Sequence, residues 1–97
     1  MFRFRSELWL HSGEAAWHFV TVPTEVGGEI SDATVGERRG FGSVKVHATI
    51  GSTTWPTSLF PDSASGSFVL PVKRQVRQSE HLEDGDQVAV SVALVLP

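Results

Sequence analysis

The sequence predicts an all-β protein: a small closed barrel of six or seven strands with one or two short helices. Three observations lead there. Apolar and polar residues alternate with period two in several separate segments, the pattern of a strand with one buried face. Clusters of Gly, Pro, Ser and Asp separate those segments at short intervals, as turns require. The chain has 97 residues, enough for a single domain over 1–97 with one modest core and too few for two. At that size, closing the sheet on itself removes edges that would otherwise recruit other chains.

Each element follows from its residues. "FRFRSELWLH", residues 2–11, puts Phe2, Phe4, Leu8 and Leu10 on one face and Arg3, Arg5, Glu7, Trp9 and His11 on the other. "SGE" turns the chain, and "AAWHFVTVP" is the antiparallel partner, ended by Pro23, which has no N–H to give a ladder. "TEVGGEISDA" predicts one or two helical turns with Val26 and Ile30 inward. Gly27 and Gly28, each costing about 1 kcal/mol against Ala, make that helix short and weak. "TVGERRG" is a polar loop, and "FGSVKVHATI" a strand with Val44, Val46, Ala48 and Ile50 inward and Ser43, Lys45, His47 and Thr49 outward. After a tight turn at Gly51 and Ser52, "TTWPTSLF" is a strand that Pro56 makes an edge or a bulged one. "PDSASGS" is a loop, "FVLPV" a short strand, and "KRQVRQSEH" about two helical turns, with Val72 and Val76 on the buried side. "LEDGD" turns the chain into "QVAVSVALVLP", the last and most apolar strand, apolar enough for both faces to be covered.

Composition narrows the chemistry. Without Cys there is no disulfide, thiolate nucleophile or thiolate metal site, which suits a reducing cytoplasm, the expected location. "MFRFRSELWL" lacks the unbroken apolar run of a secretion signal, and "VAVSVALVLP" falls short of the ~20 residues of a membrane helix. A net charge of −3 gives no general attraction to nucleic acid or anionic lipid, so neither is an expected partner. Arg outnumbers Lys and Asn is absent, a bias of GC-rich bacterial coding.

Two segments echo each other: "FVTVPTEVGGEIS…GFGSVKVHATI" and "FVLPVKRQVRQSEHLEDGDQVAVSVAL" both run strand, Pro, short helix, Gly, strand, the order of an internal duplication. The second half resembles AbrB-like swapped-hairpin DNA-binding domains in its Pro71 before "VKRQVR" and its Gly85–Asp86 turn into "QVAV". In those proteins two chains interlock to complete one barrel; here one chain holds both halves, so a monomer is expected. Over nearly the whole chain, "F.F..EL", "WHFVTVP", "WPTSLFP", "FVLPVKRQVR" and "GDQVAV" resemble a bacterial family of small domains of unknown function, DUF1905. That resemblance implies a barrel of double-split type and transfers no catalytic residues. The "GG" at 27–28 departs from the family pattern.

The candidate site residues are modest signals. "GFGSVK" has Gly-x-Gly before a strand rather than a helix, so it is a bend and not a dinucleotide loop. His11, His18, His47 and His81 share no short metal-ligand spacing, and no metal or cofactor is implied. Ser58 sits in the distinctive "WPTSLFP", a candidate nucleophile that is equally a strand hydroxyl. Asp84 and Asp86 bracket Gly85, as acid–base carboxylates or as turn formers. Trp9, Trp17 and Trp55 either pack a core and its rim or line a pocket. Lys73, Arg74 and Arg77 fall at a helix start, with Lys73 and Arg77 one turn apart, suited to an anion or simply to solvent. The reading is a non-enzymatic binding or interaction domain for a small anionic ligand or a protein partner, at Trp55, Ser58, Lys73 and Arg77. The alternatives are AbrB-like nucleic-acid binding and a small enzyme using Ser58 or the Asp84–Asp86 turn.

Overall fold

The computed structural model describes residues 1–13, 16–36 and 42–95. The expectations for Glu14 and Ala15, for Glu37 to Phe41 and for the last two residues lie outside them. Six strands and two helices follow in order: β1 (Phe2–His11), β2 (Trp17–Thr21), α1 (Thr24–Ala33), β3 (Val44–Ile50), β4 (Thr53–Asp62), β5 (Ser67–Pro71), α2 (Arg74–Ser79) and β6 (Gln87–Leu94). All neighbours pair antiparallel in a closed ring, β1-β2-β5-β4-β3-β6.

The ring closes because two strands are long. β1 and β4 have ten residues each, and each changes neighbour midway. From Phe2 to Glu7, β1 pairs with β6; from Leu8 to His11 it pairs with β2. β4 pairs with β3 up to Leu59 and with β5 from Phe60 to Asp62. Two sheets share these strands, so the barrel has two seams, one after Glu7 and one after Leu59.

The pairing scheme is unchanged when the two halves are exchanged. Phe4 opposite Val90 corresponds to Trp55 opposite Ala48, and Glu7 opposite Gln87 to Ser58 opposite Lys45. Trp9 opposite Phe19 corresponds to Phe60 opposite Val69. The strands leading to the helices cross-bond reciprocally: Val22 N–H donates to Phe68 C=O and Val72 N–H to His18 C=O, both at 2.9 Å.

Alternation decides the interior. Phe4 and Leu8 of β1, Val44 to Ile50 at every second position of β3, and Val88, Val90 and Val92 of β6 are buried together. Trp55 and Leu59 of β4 and Phe68 and Leu70 of β5 complete the ring of core side chains. Burying each large aliphatic side chain contributes about 1.5–3 kcal/mol. Leu10 has the inward parity but lies at the barrel's end and is 42% exposed. β6 is covered on one face only: Ala89 is exposed and Ser91 and Ala93 half-buried. Its outward residues are small rather than hidden, which is why the sequence looked doubly apolar.

β4 runs through Pro56 without a bulge, opposite His47. Pro56 lies in the part of β4 that has β3 as its only strand neighbour, so its missing N–H interrupts no second ladder.

α1 is longer than expected, ten residues, and its glycines explain why. A Cβ on Gly27 would collide with the Ser67 hydroxyl and come within 3.0 Å of Ser67 Cβ. Bare backbone lets the helix lie against β5, where Ile30 is fully buried, and that burial offsets the glycine cost. The buried Thr34 closes the helix, its hydroxyl donating to Ile30 C=O at 2.7 Å. A Cβ on Gly28 would meet nothing.

The two glycines therefore respond oppositely. Gly28→Ala raises stability by up to about 1 kcal/mol. Gly27→Ala lowers it by about 1–2 kcal/mol through overpacking, recovered in part by Ser67→Gly. Thermal unfolding checks both, at roughly 4–8 °C per kcal/mol for a domain of this size; equal stabilisation by the two changes would contradict the close helix–strand contact.

Candidate functional site

The sequence-selected residues do not meet at one place. Trp55 and Ser58 stand an odd number of positions apart on one strand, so they point to opposite faces. Trp55 is 5% exposed, part of the core. It also lines a cleft shared with Lys73 and Val76. Lys73 has extended backbone and is the N-cap of α2, its C=O accepting from Val76 N–H and Arg77 N–H, both at 3.1 Å. Arg77 lies in a different hollow with Arg74, His81 and Glu83, its Nε donating to Val72 C=O at 3.1 Å. α2 is six residues long, too short to add a strong dipole. Ser58 lies outward in a third groove.

The other flagged groups have structural partners. His18 Nε2 lies 2.6 Å from Asp84 Oδ1, tying β2 to the turn before β6. In that turn Glu83 N–H donates to the Asp86 carboxylate at 2.8 Å and Gly85 has φ 90°. Gly85 N–H donates to Leu8 C=O and Leu8 N–H to Asp86 C=O, at 2.8 and 2.9 Å. Asp84 and Asp86 thus hold a turn against the first seam.

The groove around Ser58 combines exposed aromatic rings with basic side chains. It opens at the second seam, where β4 leaves β3 for β5, and its volume is about 550 Å³. Trp17 and Phe60 supply exposed rings, 52% and 42% accessible, and Val95 is 42% accessible. Pro56 and Pro71 line it with further apolar surface. Lys45, His47 and Ser58 face it from the outward positions of β3 and β4, and no carboxylate lines it among the described residues. Trp17 is held flat against Phe19, centroids 6.0 Å apart and planes 10° from parallel. Phe19 is in turn packed on Trp9, 5.2 Å away. An aromatic stripe thus runs along the outside of β1 and β2, ending in the exposed face of Trp17.

The first seam has the same backbone and different side chains. Where the second holds Ser58 opposite Lys45 and Pro56 opposite His47, the first holds Glu7 opposite Gln87 and Arg5 opposite Ala89. Trp9, the counterpart of Phe60, is half-buried, its indole N–H donating to Thr21 Oγ1 at 2.9 Å. One seam is filled and carries a carboxylate; the other is open, apolar and cationic.

Fold and groove together define a small closed β-barrel domain with an aromatic, cationic cleft at one seam. The family model for a domain of unknown function, DUF1905, matches residues 4–92, and the chain belongs to that family. No curated protein matches the sequence.

The two tryptophans nearest the candidate sites separate by burial. Trp55→Ala costs about 3–5 kcal/mol, whereas Trp17→Ala changes stability by less than about 1 kcal/mol, as an exposed position should. Chemical denaturation of the two variants checks this; a large loss from Trp17→Ala would make that ring structural.

Proposed function

We propose that the protein is a non-enzymatic binding domain whose seam groove takes a small anionic ligand with a flat apolar body. The observation behind this is the exposed Trp17 ring, pre-set against Phe19, in one groove with Lys45 and His47 that no carboxylate lines among the described residues. A flat body stacks on an aromatic face, worth about 0.5–1.5 kcal/mol beyond the area it buries. The ring is already oriented, so little rotamer freedom is lost on binding. The Lys45 ammonium meets the anionic end, and the Ser58 hydroxyl fixes its orientation. In this reading Ser58 serves recognition. It stands opposite Lys45 on the ladder, with no histidine or carboxylate bonded to its hydroxyl among the described residues.

All six strands of the ring come from one chain, so no second chain is needed to complete the barrel, unlike the swapped-hairpin DNA binders. Among the described residues no helix is long and apolar enough to cross a membrane.

Isothermal titration with naphthalene-2-carboxylate tests the proposal. The expected result is saturable 1:1 binding, weakened about tenfold by Trp17→Ala, equivalent to ~1.4 kcal/mol, and weakened also by Lys45→Gln. The neutral naphthamide binds less tightly than the carboxylate. Equal affinity in wild type and Trp17→Ala, or no preference for the carboxylate, would place the ligand elsewhere.

A further inference from the structure

The groove is one end of a longer cationic track. The outward residues of β1, β6, β3 and β4 form rows across the sheet, spaced ~7 Å along the strands, twice the rise per residue. The first row holds Lys45 opposite Ser58, with Val95 N–H bonded to Lys45 C=O. The second holds His47 between Ala93 and Pro56. The third runs Arg3, Ser91, Thr49, Thr54, and the fourth has Arg5 opposite Ala89. Each of four successive rows thus carries one basic side chain, the first two on β3 and the next two on β1, with β6 between them. The middle of the face is floored by alanines and hydroxyls, so nothing bulky interrupts it. A concavity of about 390 Å³ lies along Arg3, Arg5, Thr49 and Ser91.

Charge on this face is segregated from the rest of the molecule. None of the four rows contains a carboxylate; Glu7, opposite Gln87, begins the fifth. The nearest acid at the rim, Glu80, stands against Gly51, and its carboxylate accepts hydrogen bonds from Thr53 (2.6 Å) and Ser52 (3.4 Å). The remaining described acids lie on α1, at the end of β4 and in the turn before β6. Among the described residues the one ion pair is His18–Asp84, so Arg3, Arg5 and Lys45 have no carboxylate partner there. The net charge of −3 therefore conceals four successive rows that, among the described residues, carry three formal positive charges and no negative one, bounded by Glu7 in the fifth. It is the local field that a polyanion meets within a Debye length.

We propose that this face binds a short single-stranded nucleic acid, with a base stacked on Trp17 beside Phe60 and the phosphates following Lys45, His47, Arg3 and Arg5. The inference rests on the groove reading above, since the stacked base is its flat body. A row of cations alone would accept any polyanion; exposed rings at one end of the track favour a strand whose bases are unpaired and free to stack. A duplex keeps its bases out of reach of Trp17 and has too stiff a backbone to step from β3 to β1 within one face.

Fluorescence anisotropy with a labelled oligothymidylate of eight nucleotides tests it. The comparisons are a duplex, thymidine monophosphate and polyglutamate. The expected result is binding at 20 mM salt, tighter than to any comparison. The slope of log affinity against log salt is about −2, the figure for three phosphate contacts on a single strand. Arg3→Gln with Arg5→Gln flattens the slope to about −0.7, while circular dichroism confirms the fold, since both side chains point out of the barrel. Trp17→Ala weakens binding about tenfold, within the range for one stacked base. Absent binding at low salt, equal binding of polyglutamate, or a slope untouched by the two Arg changes would overturn the proposal. Naphthalene-2-carboxylate is titrated in parallel: binding of it without the oligonucleotide leaves the groove reading standing and removes only this one.

Discussion

The structure depends on the exchange of partners along β1 and β4. A ten-residue strand that stayed with one neighbour would leave the sheet open, with unpaired edges. Because β1 passes from β6 to β2 and β4 passes from β3 to β5, two small sheets share their longest strands and no open end remains. Leu8 and Leu59 stand where the partners change and both are fully buried. The interior alternation, the seating of α1 and α2, and the two seams all follow from this closure.

Equivalent backbones with different side chains give the molecule its asymmetry. At the first seam the Trp9 indole is engaged by Thr21 and packed against Phe19, and Glu7 sets the local charge. At the second, Pro71 stands where Thr21 stands in the first and offers no hydroxyl, while Phe60 lies open beside Trp17. The ladder geometry is common to both, so the difference in function rests on a handful of side chains. Lys45, Ser58, Phe60 and Trp17 make the second seam a cleft, and no strain or unusual backbone is needed to form it.

Much of the fold was legible in the sequence because period-two alternation is local. β1, β3 and β6 each show it, and most of their inward residues are buried in the core, with Phe2 and Leu94 partly buried and Leu10 exposed at the barrel's end. The length of α1 was not legible. Gly27 and Gly28 are unfavourable by propensity, and the compensating contact with Ser67 is 40 residues away along the chain. The site was half legible. The opposite parity of Trp55 and Ser58 was available from their spacing and separates them without any structure. Lys45 and His47 were already on the outward face of β3. That Trp17 and Phe60 line one groove was hidden, because it depends on β5 lying between β2 and β4, an order that no local pattern specifies. The basic residues near α2 drew attention by clustering in sequence; Lys73 and Arg77 are one turn apart, Arg77 N–H donating to Lys73 C=O at 3.1 Å, yet their side chains line different hollows. The fold assembles a longer cationic row from Arg3, Arg5 and Lys45, which are scattered in sequence.

The central claim is that the open seam is where this domain meets its ligand. Amide and indole chemical-shift mapping of the isotope-labelled protein, titrated with naphthalene-2-carboxylate, tests it most directly. The account predicts that perturbed signals gather at the Trp17 indole, Lys45 to His47 and Thr57 to Phe60, with the Trp9 indole unmoved. Perturbations gathered instead around Lys73 and Arg77, or at the Trp9–Thr21 seam, would contradict it.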